Sequence, residues 1–250
     1  MSSEKRPEFF WPENLLTQEK QVKQKSPESL ELNDKKGDFG SYRWLLHQGA
    51  EDSLIEQHNM ISPRAKIYAQ FISKVIGRQP GSIADIGCGA GFVAHELKER
   101  FPASKVVGYE LSADAIEYAR SHWPEVEFHC WAIFPDTDLG MKFDMIHCQE
   151  FYPFTRTSKV EYYRDYLAMF SRHLNDGGII VITLRKTEDC ILNALPQLGS
   201  LLGEAGLSPV YQKLLLPSLK VYATLRNIGL ASLITRFLRT NHSYLLMFNR

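Results

Sequence analysis

Three glycines, Gly87, Gly89 and Gly91, alternate with other residues where an apolar stretch meets a helical one. Gly87 and Gly89 allow the backbone to turn tightly and to approach a ligand that a Cβ would push away. The helix predicted after Gly91 offers unpaired backbone N–H groups and the positive end of its dipole. Asp85 stands just before the first glycine. This pattern predicts a binding turn with a carboxylate beside it.

A second carboxylate, Glu110, stands 21 residues after Gly89, at the end of the next predicted strand. In a strand–helix–strand unit, an acidic side chain at this position grips both ribose hydroxyls of a nucleotide-like cofactor. The pairing therefore predicts an adenosine cofactor. The alternative is a glycine-rich turn with an incidental surface glutamate.

The glycine spacing distinguishes between adenosine cofactors. A dinucleotide fingerprint, G-x-G-x-x-G, needs glycine at position 92, where this chain has Phe92. The pattern is instead acidic-x-G-x-G-x-G. With Asp85, the glycines and Glu110 in place, the chain resembles the class I S-adenosylmethionine-dependent methyltransferases. The resemblance covers residues 60–250 as a pattern, and its specific part runs over 83–110.

The resemblance implies a cofactor, S-adenosylmethionine, and roles for single residues. Asp85 and the glycine turn would face the methionine end of the cofactor. Glu110 would hold the ribose, and Leu111 would pack on the adenine. After the third strand the family often has a carboxylate for the adenine amino group, whereas residues 129–132 read His-Cys-Trp-Ala.

We therefore predict that Trp131 flanks the adenine with Ala132 beside it, which leaves the amino group to the backbone or to Asp136. The alternative for Trp131 is an ordinary buried aromatic. Arg64, like Arg43, precedes the first strand and is a candidate for the cofactor carboxylate. The alternative for both arginines is a solvated surface position.

The end of the fourth predicted strand points towards the transferable methyl group, because ligands bind beyond the carboxyl ends of such strands. Methyl transfer requires an aligned nucleophile, which must be deprotonated if it is a hydroxyl or an ammonium group. Glu150 is the candidate base or substrate-amine anchor, or else it ties down the loop. Tyr152 would orient the substrate or shield the sulfonium by cation–π contact, or else pack. Gln149 is predicted on the cofactor side, and His147 is predicted to be a satisfied core residue.

The elements that position these residues alternate between strands and helices of about 10–15 residues. This order predicts an α/β fold with an open, doubly wound, mostly parallel sheet and helices on both faces. The family resemblance adds a seventh, antiparallel last strand. Strands are predicted at Ser82–Ile86, Lys105–Glu110, Val126–Ala132, Phe143–Cys148, Ile179–Leu184, Pro209–Leu215 and Ser243–Phe248. Helices are predicted at 62–77, 92–101, 112–121, 160–174 and 191–205.

Two segments outside this core are distinct. Residues 1–36 carry seven acidic and seven basic side chains and three prolines, which predicts a flexible extension before a helical segment and the methyltransferase domain of 37–250. Residues 217–240 are predicted as a helical insertion before the last strand. Three interpretations are open for this insertion: a lid over an anionic substrate, an interfacial helix that meets a substrate held in a membrane, or a packed helical hairpin. After Glu204 there are six basic residues and no acidic one.

Composition excludes several function classes. The 29 basic and 29 acidic side chains cancel, which argues against a domain that coats nucleic acid. The N-terminus shows no secretory signal, and no uncharged apolar run reaches the roughly 18 residues of a membrane span. The four cysteines contain no Cys-x-x-Cys pair, so no metal site is predicted and a reducing compartment is inferred.

We therefore predict a cytoplasmic methyltransferase acting on oxygen or nitrogen of a small, anionic metabolite or a glycan or natural-product precursor. A protein or RNA methyltransferase is one alternative, disfavoured by the neutral charge and by the lack of an Asn-Pro-Pro-Tyr type motif. A non-catalytic scaffold or sensor of the same fold is another. The acceptor, the target atom and the oligomeric state stay open.

Overall fold

The computed structural model describes residues 65–155, 160–185, 191–215 and 243–250. The predicted extension 1–36, the insertion 217–240, Arg43, Arg64 and Cys190 lie outside these residues. The helices are α1 (65–76), α2 (Phe92–Arg100), α3 (Ala113–His122), α4 (Tyr152–Thr155), α5 (Val160–Arg172) and α6 (Ile191–Glu204). The strands are β1 (Ser82–Ile86), β2 (Lys105–Glu110), β3 (Glu127–Cys130), β4 (Phe143–Gln149), β5 (Leu174–Arg185), β6 (Ser208–Leu215) and β7 (Ser243–Asn249).

These strands form one seven-stranded sheet in the order β3-β2-β1-β4-β5-β7-β6. Neighbouring strands from β3 to β5 are parallel, whereas β7 runs antiparallel to both β5 and β6. The predicted open α/β sheet with an antiparallel last strand is confirmed. Because the order reverses beside β1, the carboxyl ends of β1 and β4 border the crevice where such sheets bind ligands.

Helices cover both faces of the sheet, so the central strands are apolar on both sides. Ile83 of β1 belongs to a core cluster with α1, α2 and α3, and Ala84 belongs to a cluster with α5 and α6. Successive side chains of β1 therefore pack into the two apolar cores on opposite faces of the sheet. This alternation also leaves the strand ends, where Asp85 and Glu110 lie, as the places for polar side chains.

The start of β5 differs from the prediction. The sequence predicts a helix over 160–174 and the next strand from Ile179, which leaves Asn175-Asp176-Gly177-Gly178 as a turn. In the structure, α5 ends at Arg172 and β5 begins at Leu174. Leu174 pairs with Phe143 of β4, and a register shift follows. The Asn175 side chain donates a 2.8 Å hydrogen bond to Asp144 Oδ1. The glycines thus form an irregular strand entry, with Gly177 at φ 70°, where a turn was expected.

The edge strand β3 is shorter than predicted. It covers Glu127–Cys130 rather than Val126–Ala132, because the backbone N–H of Val126 donates to the Trp123 carbonyl in a turn. Beyond its end, the backbone N–H of Trp131 still donates to the Glu110 carbonyl at 2.9 Å. Trp131 therefore leaves the strand directly beside the end of β2.

Cys88, Cys130 and Cys148 are present as thiols. Burial raises the pKa of Cys88 and of Cys148 well above the ordinary value, so both stay protonated and behave as small apolar side chains. Within the described ranges, no group of three or more metal-ligating side chains is placed to hold an ion. None of the described helices is long and apolar enough to cross a membrane.

Candidate active site

The glycine turn between β1 and α2 is held by the end of β2. Gly87, Gly89 and Gly91 have φ of 70°, 55° and 80°, a left-handed backbone that favours glycine. The backbone N–H groups of Gly87 and Cys88 both donate to the Tyr109 carbonyl, at 2.8 and 3.0 Å. The turn is therefore a fixed feature of the β1–β2 pair.

Two of these glycines also make room for neighbouring side chains. A Cβ on Gly91 would lie 2.7 Å from the Phe128 ring and 2.9 Å from that of Trp123, so this glycine permits close packing of α2, α3 and β3. A Cβ on Gly87 would lie 3.1 Å from the Phe151 ring. Phe151 follows β4, so the turn touches the loop in which we predicted the substrate residues.

Glu110 lies at the end of β2 and is 9% exposed. Its Oε2 accepts a 3.1 Å hydrogen bond from the Gly89 N–H, and its Oε1 accepts one of 2.9 Å from the Ser112 N–H. A carboxylate has about four acceptor sites, so these two contacts do not use its whole capacity to accept hydrogen bonds from ligand hydroxyls. Burial raises the pKa of Glu110 above its ordinary value, against the opposing effect of the backbone donors of Ser112, Gly89 and Leu111.

Asp85 lies at the end of β1 and is 1% exposed. Its Oδ1 is 2.7 Å from His147 Nδ1, and His147 Nε2 is 3.4 Å from the hydroxyl of Thr183. The β1–β4 register, which pairs Asp85 with His147, produces this contact. The prediction that His147 is a satisfied core residue is confirmed.

The two carboxylates fit a cofactor that carries hydroxyls and positive charge. Among the residues that the structure describes, neither Asp85 nor Glu110 pairs with a lysine or arginine. Buried carboxylates are costly unless a partner compensates them. An adenosylated sulfonium amino acid supplies ribose hydroxyls, an ammonium group and a sulfonium charge, so the residues present suit S-adenosylmethionine.

The predicted adenine side is formed by the ends of β2 and β3. Leu111 and Ala132 are half-buried and pack on the core beneath α5. Trp131 is 39% exposed, with its ring centroid 5.7 Å from that of Tyr109. Its alternative, an ordinary buried aromatic, is therefore wrong. The adenine contacts of Leu111, Trp131 and Ala132 stay predictions.

The loop after β4 has an unusual backbone. Gln149 is half-buried and pairs with Thr183 of β5. Glu150 is exposed and has φ of 50°, and its N–H donates to the Thr183 carbonyl at 2.8 Å. A left-handed non-glycine residue is uncommon and often marks a functional site. The catalytic role predicted for Glu150 and the cofactor role predicted for Gln149 stay predictions.

Helix α4, which begins at Tyr152, was missed by sequence reasoning. Pro153, in its first turn, was the available signal. The side chain of Tyr152 lies outside the described part of the structure, so its role stays a prediction. Phe151 was missed as a contact of the cofactor turn. Its ring packs 5.5 Å from that of Tyr166 in α5, a tertiary contact that no spacing rule indicates.

Acidification is expected to weaken cofactor binding through Glu110. In the predicted role, the ionised carboxylate would accept hydrogen bonds from the ribose hydroxyls. Binding would then favour ionisation, and affinity would fall as the pH drops through the pKa of Glu110. Because burial raises that pKa, the loss begins at a higher pH than for an exposed glutamate, whose pKa is about 4.3. Calorimetry with S-adenosylhomocysteine at several pH values measures this. Glu110→Gln should remove the dependence; an equal slope in that variant would contradict the assignment.

The comparisons with known proteins agree with this geometry. A family model described as a methyltransferase domain matches residues 83–178. The chain is 43% identical over 54 residues to malonyl-[acyl-carrier protein] O-methyltransferase of Hahella chejuensis, covering 22% of this chain and 19% of that protein. It is 37% identical over 82 residues to trans-aconitate 2-methyltransferase of Rhodopseudomonas palustris (strain BisB5), covering 30% and 32%. The chain thus spans about a fifth to a third of the length of these relatives.

A solved structure shares the fold. The magnesium protoporphyrin IX methyltransferase of Synechocystis PCC 6803, with bound S-adenosylmethionine, gives a TM-score of 0.53 at 12% identity, covering 86% of this chain and 92% of that chain. The seven-stranded sheet and its glycine turn are those of a Rossmann-like methyltransferase domain. Residues 83–178 therefore match a methyltransferase domain, and the fold is that of a methyltransferase solved with bound S-adenosylmethionine.

Proposed function

We propose that the protein transfers a methyl group from S-adenosylmethionine to an oxygen or nitrogen of a small, anionic metabolite, including glycan and natural-product precursors. The observation that carries this proposal is the contact between the cofactor turn and the loop after β4. Phe151 lies against Gly87, so Glu150, the residue before it, would lie close to the methionine end predicted for the cofactor.

The residues of this chain would divide the work by position. Glu110 holds the ribose hydroxyls, and Asp85 faces the amino-acid end. When bound, the cofactor supplies a methyl group activated on a sulfonium. A hydroxyl or ammonium acceptor would lose its proton to the Glu150 carboxylate, with Tyr152 as the orienting group. A carboxylate acceptor is already ionised, so Glu150 would then only help to align it.

Two observations support an anionic acceptor. Both curated relatives described above are named for acceptors that contain carboxylates, malonyl and trans-aconitate. The C-terminal fifth of the chain has six basic residues and no acidic one after Glu204, which provides a local positive field that the neutral whole chain conceals. We infer that the insertion 217–240 acts as a lid over the acceptor.

Reversing two charges in this segment is expected to impair acceptor binding alone. Arginine binds oxyanions through its planar fork, so the double variant Arg226→Glu with Arg236→Glu should raise the acceptor KM several-fold in a salt-sensitive way. The affinity for S-adenosylhomocysteine should not change. The matched control reverses Lys66 and Lys74, which are exposed on α1. Wild-type kinetics of the double arginine variant at low salt would exclude the lid.

The proposed activity is tested by radiolabelled methyl transfer from S-adenosylmethionine into a fractionated cell extract. We expect label in the fraction of small anionic molecules. Label in the protein or RNA fraction would overturn the proposed acceptor class and support a macromolecular methyltransferase. Binding of S-adenosylmethionine without transfer to any fraction would overturn catalysis and favour a scaffold or sensor.

A further inference from the structure

A network of buried polar side chains connects three central strands next to the glycine turn. It runs from Asp85 of β1 through the ring of His147 in β4 to the hydroxyl of Thr183 in β5. All three side chains are at most 2% exposed. An aliphatic residue would suit the same position of β4, because Met145 beside it on the same face is part of the apolar core. A buried histidine at this position of β4 is therefore not explained by packing alone.

In the contact between Asp85 and His147, only one assignment of hydrogen-bond donor and acceptor is consistent with an ionised carboxylate. An ionised carboxylate only accepts hydrogen bonds, so His147 Nδ1 carries the proton in its 2.7 Å contact with Asp85 Oδ1. The contact uses one oxygen of Asp85 and fixes the plane of the carboxylate. The second oxygen, Oδ2, takes no part in this contact.

At its other end, the network of polar side chains contacts the loop after β4. Thr183 is 3.4 Å from His147 Nε2 through its hydroxyl, and its backbone carbonyl accepts the 2.8 Å hydrogen bond from the Glu150 N–H. One residue of β5 therefore orients the imidazole and also anchors the left-handed backbone of Glu150. Thr183 therefore links the Asp85–His147 pair to the loop after β4.

We propose that His147 is a positioning residue: its Nδ1–H holds the Asp85 carboxylate in the orientation that binds the ammonium group of S-adenosylmethionine. This inference rests on the proposed function, because it takes the cofactor to be present with its amino-acid end at Asp85. His147 does not touch the cofactor. It acts through Asp85, as outer hydrogen-bond partners orient the residues that contact a ligand.

Two ligands separate this role from a merely structural one. S-adenosylhomocysteine has the amino-acid group, whereas 5′-methylthioadenosine has the adenosine and lacks that group. In His147→Leu, which removes the donor, the affinity for S-adenosylhomocysteine should fall about tenfold or more, while that for 5′-methylthioadenosine should change less than about twofold. His147→Asn, whose amide nitrogen can replace Nδ1–H, should restore most of the lost affinity. Calorimetry measures the dissociation constants of both ligands for the wild type and for both variants.

Each result has a defined consequence. Equal losses for the two ligands in His147→Leu, or no loss for either, would overturn the positioning role while leaving the proposed function intact. Wild-type protein that binds neither ligand would overturn the proposed function and this inference with it. A failure of His147→Asn to rescue would also count against the Nδ1–H donor.

A measurement on the wild-type protein covers the case in which His147→Leu does not fold. Long-range ¹H–¹⁵N spectra of histidine side chains report which ring nitrogen carries a proton. We expect a protonated Nδ1 at His147, and a shift of its signal with S-adenosylhomocysteine but not with 5′-methylthioadenosine. An unprotonated Nδ1, or the same shift with both ligands, would overturn the proposal.

Discussion

Replacing Glu110 by alanine is expected to weaken S-adenosylhomocysteine binding by about 1.5–3 kcal/mol, the scale of hydrogen bonds to a charged group. The side chain is the buried carboxylate whose remaining acceptor sites suit the two ribose hydroxyls, and it also holds the Gly89 N–H. The dissociation constant should therefore rise roughly 10- to 150-fold. Calorimetry gives the constant, and thermal unfolding shows that the variant is folded.

The matched control for this experiment is Glu127→Ala. Glu127 lies on the edge strand β3, where its exposed carboxylate pairs with Lys105 at 3.0 Å and with His129 at 2.7 Å. Removing an exposed pair of this kind costs little, so cofactor affinity should be unchanged. An unchanged dissociation constant in a folded Glu110→Ala variant would move the ribose site elsewhere.

The second large effect concerns stability. Gly91→Ala should lower the free energy of unfolding by about 2–5 kcal/mol, because two costs add. A left-handed backbone costs an alanine roughly 1–2 kcal/mol, and forcing a methyl group into a packed core costs about 1–3 kcal/mol. The new Cβ would lie 2.7 Å from Phe128 and 3.0 Å from the Ala119 Cβ. Urea unfolding measures the loss.

Gly140→Ala separates the two costs. Gly140 has φ of 74°, but a Cβ there meets nothing within 4 Å, so this variant should lose only the roughly 1–2 kcal/mol of backbone strain. The difference between the two variants is the cost of crowding between α2, α3 and β3. Equal losses in the two variants would show that Gly91 permits no close packing.

The central strands could be predicted because their sequences combine apolar runs with clear breaks. Ser82–Ile86 and Lys105–Glu110 are found as predicted. Glycines bound the first strand, and the second begins and ends with a charged residue. The entry of β5 could not be predicted in this way. Gly177 and Gly178 have the composition of a turn, but Leu174 before them pairs with Phe143 and Ile179 after them pairs with Met145, so they lie within the strand.

In the candidate site, too, the features set by local sequence could be predicted and those set by tertiary contacts could not. The glycine turn and Glu110 were predictable from spacing within one strand–helix–strand unit. The contact of His147 with Asp85 depends on the register between β1 and β4, which are separated by two helices and two strands in the chain. The contact of Phe151 with Gly87 depends on how α4 and α5 pack. Tertiary register and packing of this kind leave no local pattern in the sequence.

The identity of the cofactor tests this account most directly. The full-length protein is titrated by calorimetry with S-adenosylhomocysteine and, separately, with NAD under the same conditions. The acidic-x-G-x-G-x-G turn and Phe92 in place of a third fingerprint glycine predict binding of S-adenosylhomocysteine at one site and no heat from NAD. The two buried carboxylates, which pair with no lysine or arginine in the described residues, predict the same result. Binding of NAD without binding of S-adenosylhomocysteine would contradict the account.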